Sequence, residues 1–236
     1  EMQRSLVGSE MCIRDRVGFG ERKEIFMYHY VTDKEYLKQS YRICADIVNQ
    51  LVQNLRKYDI EAAMSLVGSG GRNMITQNEK EAIDFDFNLE IISCDRFSIN
   101  DGQRLKEEIR KAYNEVLRKN SWGDCQDSTS AFTTERRILK KGNKTPFSID
   151  VCIINVDSYG RVNRLIHQKT GFTWMDRWYW IESRDSSKIW EREYFIKDKG
   201  QWEMVRQAYL DKKNLYLKRN EYDKSSFICF IEAVNE

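Results

Sequence analysis

Two stretches far apart in the chain set carboxylates between large apolar side chains: Ile83-Asp84-Phe85-Asp86-Phe87 and Ile149-Asp150-Val151. Alternation with a period of two marks a strand with one buried face. On such a strand Asp84 and Asp86 emerge on the same side, about 7 Å apart, while Ile83, Phe85 and Phe87 point into the core. If the two strands are neighbours, Asp150 joins them. At about 6 Å and an effective dielectric of about 20, each like-charged pair costs roughly 2–3 kcal/mol. Three such pairs rival the whole stability margin of a domain. Divalent cations remove that repulsion, and hard oxygen ligands suit Mg²⁺ or Mn²⁺. Taken singly, each aspartate has an ordinary alternative, a solvated strand face.

The surrounding pattern predicts an α+β fold, a mixed sheet with helices packed on it. Asp33 is placed to cap a helix whose apolar stripe runs through Leu37, Tyr41, Cys44, Val48, Leu51 and Leu55, ending near Tyr58. Residues 61–67 read as a strand that ends at Gly68-Ser69-Gly70-Gly71, a tight turn. The polar stretch 73–82 reads as a short helix and 83–92 as a strand. Asp101 is placed to cap a long helix through Leu105, Ile109, Ala112, Val116 and Leu117. Strands are expected at 128–139, 147–156 and 162–166, and a helix at 201–219.

Composition narrows the function classes. The 236 residues are 41% hydrophobic and 32% charged, enough to bury one core. The net charge of +2 creates no overall field to recruit nucleic acid or an anionic membrane. No apolar window approaches the roughly 18–20 residues that span a bilayer, so no membrane partner is expected. The six cysteines show no CxxC spacing, and only His29 and His167 are present, so no zinc motif is visible. Reduced thiols and a cytoplasmic location are the expectation. Neither histidine has a partner that makes a catalytic arrangement visible.

The turn Gly68-Ser69 adds the second half of a site. Glycine lets the backbone approach a ligand closely, successive N–H groups can hold a phosphate, and the Ser69 hydroxyl is a further donor. With Val67-Gly68-Ser69, Asp84-Phe85-Asp86-Phe87 and Ile149-Asp150-Val151 in this order, the sequence resembles the DNA polymerase β-like nucleotidyltransferase superfamily across residues 33–166. The resemblance implies that Asp84 and Asp86 bind both of two metal ions. It implies that Asp150 completes the second metal site and helps activate the acceptor hydroxyl, and that Gly68 and Ser69 hold the nucleotide phosphates. It implies a nucleoside triphosphate, ATP among the candidates, as partner and Mg²⁺ or Mn²⁺ as cofactor. In this superfamily a helix after the core often carries a basic residue that reaches the triphosphate, which brings in Lys212 and Lys213. A solvated helix face is the alternative for that pair. The acceptor is open between another nucleotide, RNA, a protein and a small molecule. The rival from another class is a module that keeps the fold, binds nucleotide or RNA, and has lost turnover.

Three segments are expected. The stretch SLVGSEMCIRD resembles a translated sequencing-adapter read-through, so 1–16 is read as an extraneous tail. Residues 17–166 form the nucleotidyltransferase core. Residues 167–236 form a partial helical C-terminal region, which stops abruptly after the apolar stretch near Phe227 and is expected to lack further residues.

Overall fold

The computed structural model describes residues 27–183, 186–221 and 224–236. The reading of 1–16 as an extraneous tail lies outside them. The elements run β1 (Tyr28–Tyr30), α1 (Lys34–Leu55), β2 (Ile60–Leu66), α2 (Gly68–Gly71), β3 (Thr76–Asn78), β4 (Ile83–Cys94), α3 (Gly102–Lys119), β5 (Gln126–Asp127), β6 (Phe132–Thr133), β7 (Phe147–Val156), β8 (Val162–Gln168), β9 (Arg177–Glu182), α4 (Ser186–Asp198), α5 (Trp202–Lys218) and α6 (Ser226–Asn235). They fall into two compact units. One is Val31–Arg184; the other joins β1 to the helices α4, α5 and α6.

In the larger unit, β2 pairs antiparallel with β4, and β4 pairs parallel with β7. The two-residue strands β6 and β5 continue the sheet beyond β7, and β8 and β9 extend it antiparallel from the far end of β7. The architecture is α+β with a mixed sheet, as the periodicity predicts. One sheet face is apolar. Phe85, Phe87 and Leu89 of β4 and Ile149, Val151 and Ile153 of β7 are buried in one core with Cys44, Val48, Leu51 and Leu55 of α1 and Leu105, Ile109 and Leu117 of α3. Both helices start where expected. The Asp33 carboxylate accepts the Tyr36 amide at 2.9 Å, and Asp101 does the same for Arg104 at 3.1 Å. The two helices are also joined by the Asn54 amide, which donates to the Ala112 carbonyl at 3.0 Å.

Several expectations fail for identifiable reasons. Gly68–Gly71 is a single helical turn rather than a tight turn. The stretch 73–82 is not helical. Asn73 and Glu79 both adopt left-handed backbone with φ of 55°, which breaks any helix there, and β3 lies between them. The Ser- and Thr-rich stretch 128–139 gives only β6 and an isolated bridge at Arg137. Ser128 Oγ bonds locally, donating to the Ala131 carbonyl at 2.8 Å, while Thr134 Oγ1 accepts the Ile149 amide of β7 at 3.0 Å.

His167 has partners the sequence did not reveal. Its Nδ1 lies 2.7 Å from Asp127 and its Nε2 3.1 Å from Asp176, and its ring stacks on Trp178. Lys106 of α3 completes this buried network with a 2.7 Å ion pair to Asp127. Trp174 is 79% exposed.

In the smaller unit, Asn214 of α5 accepts the Tyr28 amide at 2.7 Å and donates to its carbonyl at 3.1 Å, which fastens β1 to the helix. Ser225 caps α6 by accepting the Ile228 amide at 3.3 Å. The five described cysteines are free thiols. Among the described residues no helix is long and apolar enough to cross a membrane.

The apolar face of β4 makes a direct prediction. Leu89 is fully buried, so Leu89→Ala should cost about 3 kcal/mol, the usual scale for truncating a buried leucine. Urea unfolding followed by tryptophan fluorescence measures it; a loss below about 1 kcal/mol would contradict the packing of α1 and α3 against this strand.

Candidate functional site

The polar face of the sheet collects what the alternation puts there. Parallel pairing aligns Asp86 with Asp150 and Asp84 with Ser148. Residues paired in register on neighbouring strands point to the same side, so the three aspartates share one face. The Ser148 hydroxyl donates a short hydrogen bond to Asp84 Oδ1. Asp84 is exposed, whereas Asp86 and Asp150 are half-buried. Beyond β7, Thr133 of β6 pairs with Asp150.

The charges feel one another. Burial, then the neighbouring Asp150 and Asp84, push the Asp86 carboxyl from 3.8 up to about 7, against the pull of Arg164. Next along β7, the Cys152 thiol rises to about 11, mainly through burial, with Asp86 and Asp150 adding to the effect.

The turn after β2 is built against this acid group. The Val67 amide donates to the Asp86 carbonyl at 2.8 Å, carrying the β2–β4 pairing to the carboxylate's own residue. Gly68 follows with φ of 62°, and a Cβ there would lie 3.1 Å from Asp86 Cγ. Glycine is therefore required twice, by backbone conformation and by the closeness of Asp86. Gly71 is constrained too: a Cβ would come within 2.8 Å of the Leu66 carbonyl oxygen. The turn is held by the Gly71 amide on the Val67 carbonyl at 3.1 Å and the Met74 amide on the Ser69 carbonyl at 2.8 Å. Arg72 also donates to the Gly68 carbonyl at 3.2 Å. Ser69 is half-buried within it.

Gly68, Ser69, Asp84, Asp86 and Asp150 thus all lie in the larger unit, at the polar side of β4 and β7 and at the turn leading out of β2. Lys212 and Lys213 belong to the smaller unit. There Lys212 forms a short ion pair with Glu236, and Lys213 Nζ sits 4.0 Å from the centre of the Tyr28 ring.

The donor set has the chemistry of a hard-cation site: neighbouring carboxylate oxygens that repel one another. Among the described residues, however, no three His, Cys, Asp or Glu side chains are close enough to form a finished metal cage. The aspartates are electrostatic neighbours whose closing together a cation would favour.

Sequence reasoning missed two members of this face. Asn88 of β4 pairs with Cys152, and Arg164 of β8 pairs with Ile154, two residues beyond Cys152 on the same side of β7. The even spacing Asp84, Asp86, Asn88 was a usable signal for Asn88. Nothing in the sequence announced Arg164, which reaches the site only through the β7–β8 register.

No protein-family model and no curated protein matches the chain. Solved structures do. The chain is similar to the structure of Escherichia coli MS115-1 CdnC with ATP, with a TM-score of 0.53 and 12% identity, covering 89% of this chain and 61% of that one. It is similar to Escherichia coli DncV bound to 3'-deoxy GTP, with a TM-score of 0.51 and 13% identity, covering 87% and 53%. It is also similar to the STING-associated CdnE c-di-GMP synthase of Capnocytophaga granulosa, with a TM-score of 0.50 and 15% identity, covering 86% and 60%. The chain spans between about half and three fifths of the length of these structures. What the chain shares with these structures is the fold, an α+β architecture with a mixed sheet.

Two measurements follow from this geometry. Gly68→Ala should destabilise the protein by at least about 1–2 kcal/mol from the left-handed backbone alone, before the contact with Asp86 is counted; an unchanged unfolding midpoint would contradict the turn. The second concerns pH. The folded-state pKa of Asp86 is raised from 3.8 to about 7, so its charged form is disfavoured in the fold. Its contribution is most favourable below about pH 4 and is lost as the pH rises through about 7. In chelator, the melting temperature of Asp86→Asn relative to the parent should therefore be higher at pH 8 than at pH 5. A difference independent of pH would refute the raised carboxyl.

Proposed function

We propose that this chain carries the catalytic core of a metal-dependent nucleotidyltransferase that moves a nucleoside monophosphate from a nucleoside triphosphate to an acceptor hydroxyl and releases pyrophosphate. The observation that carries the reading is the register of Asp86 on Asp150 across the parallel β4–β7 pair, with Asp84 on the same face and the Gly68 backbone against Asp86. Hard-oxygen donors in this order fit Mg²⁺ or Mn²⁺, which Asp84, Asp86 and Asp150 would hold. When bound, such a cation neutralises the acid face and stabilises charge on the attacking and leaving oxygens.

The chain's own residues do the rest. The amides of the turn from Gly68, with the Ser69 hydroxyl, hold phosphate oxygens. Asp150 takes the proton of the acceptor hydroxyl as its oxygen forms the new bond to the α-phosphorus. The bond to the pyrophosphate oxygen breaks on the opposite side, and pyrophosphate leaves with that electron pair. Positioning and charge stabilisation supply most of the acceleration. The fold shared with a structure described as a c-di-GMP synthase supports a second nucleotide as the acceptor.

A second reading has an observation of its own. No three donors converge closely enough for a metal among the described residues, which favours a module that binds nucleotide without turning it over. Incubation with each labelled NTP and Mg²⁺ or Mn²⁺ separates the two. Catalysis gives pyrophosphate and a labelled product, and Asp86→Asn lowers its rate by at least about a hundredfold, the scale of removing a group that stabilises the transition state, while circular dichroism is unchanged. Metal-dependent binding without pyrophosphate selects the binding module. Product that persists in an Asp84→Asn, Asp86→Asn double variant would end the metal-ligand assignment.

A further inference from the structure

Two polar atoms on the acid face remain unspent. Arg164 Nε and Asn88 Oδ1 are both shut off from solvent, and among the described residues neither has a hydrogen-bond partner. A buried donor or acceptor left unpaired costs about 1–3 kcal/mol. To find one of each on one sheet face, beside a candidate site, is informative.

Their positions agree. Asn88 follows Asp86 by two residues on β4 and pairs with Cys152, which follows Asp150 by two residues on β7. Arg164 pairs with Ile154, the next residue on that side of β7. Arg164 is the largest charge influence on the Cys152 thiol and also acts on Asp86, so its charge is felt along this row as far as the aspartates. Asn88, Cys152 and Arg164 thus form a second row directly beyond the row of Asp86 and Asp150.

We propose that Arg164 and Asn88 form a hydrogen-bonding subsite for the phosphorylated substrate of this face, Arg164 donating to a phosphate oxygen and Asn88 Oδ1 accepting from a hydroxyl or amino group of the same molecule. The planar guanidinium fork matches a phosphate, and an Nε–H without a protein acceptor leaves that edge of the fork for the ligand. Near three carboxylates, a fixed cation also draws an anionic ligand to a surface that would otherwise repel it. This assignment rests on the nucleotidyltransferase reading and adds to it two residues that the motif does not contain.

Equilibrium binding of fluorescent ATP and GTP analogues in Mn²⁺ tests it, with AMP as a single-phosphate comparison. Arg164→Gln should weaken triphosphate binding at least tenfold. Arg164→Lys keeps the charge and loses the fork, and should weaken it at least threefold. Asn88→Leu should weaken binding of all three nucleotides by a similar factor. If Arg164→Gln fails to fold, as judged by its melting curve, Arg164→Lys carries the test alone. Parental affinity in the folded arginine variants overturns the subsite while leaving the nucleotidyltransferase reading intact. A parent protein that binds no nucleotide at all overturns both.

Discussion

Like charges placed side by side on a sheet are an electrostatic cost that a fold accepts only where something else is gained. Here the parallel pairing of β4 with β7 imposes it. Each strand sends large apolar side chains to one face, and burial of those side chains between the sheet and the helices α1 and α3 fixes the register. A slip of one residue would bury the aspartates and expose Phe85, Phe87, Ile149 and Val151. The hydrophobic core therefore dictates that Asp86 faces Asp150. Burial of that carboxyl, with the repulsion from Asp150 and Asp84 added to it, appears as an acid that resists ionisation.

Much of this was legible in the sequence because period-two patterns and helix caps are local. Ile83-Asp84-Phe85-Asp86-Phe87 states its own faces, and Asp33 and Asp101 mark their helix starts without reference to anything distant. What was not legible depends on partners far along the chain. His167 looked isolated because Asp127 lies 40 residues away. Arg164 looked like any other basic residue in a weak strand. Its place beside the aspartates comes from a strand pairing that no periodicity announces.

The misread stretches share one physical cause. Neither carries a long regular ladder: left-handed backbone at Asn73 and Glu79 interrupts 73–82, and 128–139 makes only short pairings, so propensity had little regular to detect. These irregular stretches are not idle. The first leads from the glycine turn to β4, and the second supplies Thr133, the register partner of Asp150, and Thr134, which accepts the Ile149 amide. Irregular chain borders the site on both sides, while the aspartates themselves stand on regular strands.

The absence of a side chain at Gly68 reaches further than sterics. Main chain lies flush against the Asp86 carboxyl, with no compressible group between them, and the Val67 amide is fastened to the same residue. Close-packed surfaces of this kind transmit displacement rather than absorb it. The loop that would grip an incoming anion and the acid that would meet its counter-ion therefore move as one mechanical piece, so that whatever tightens the first also re-aims the second.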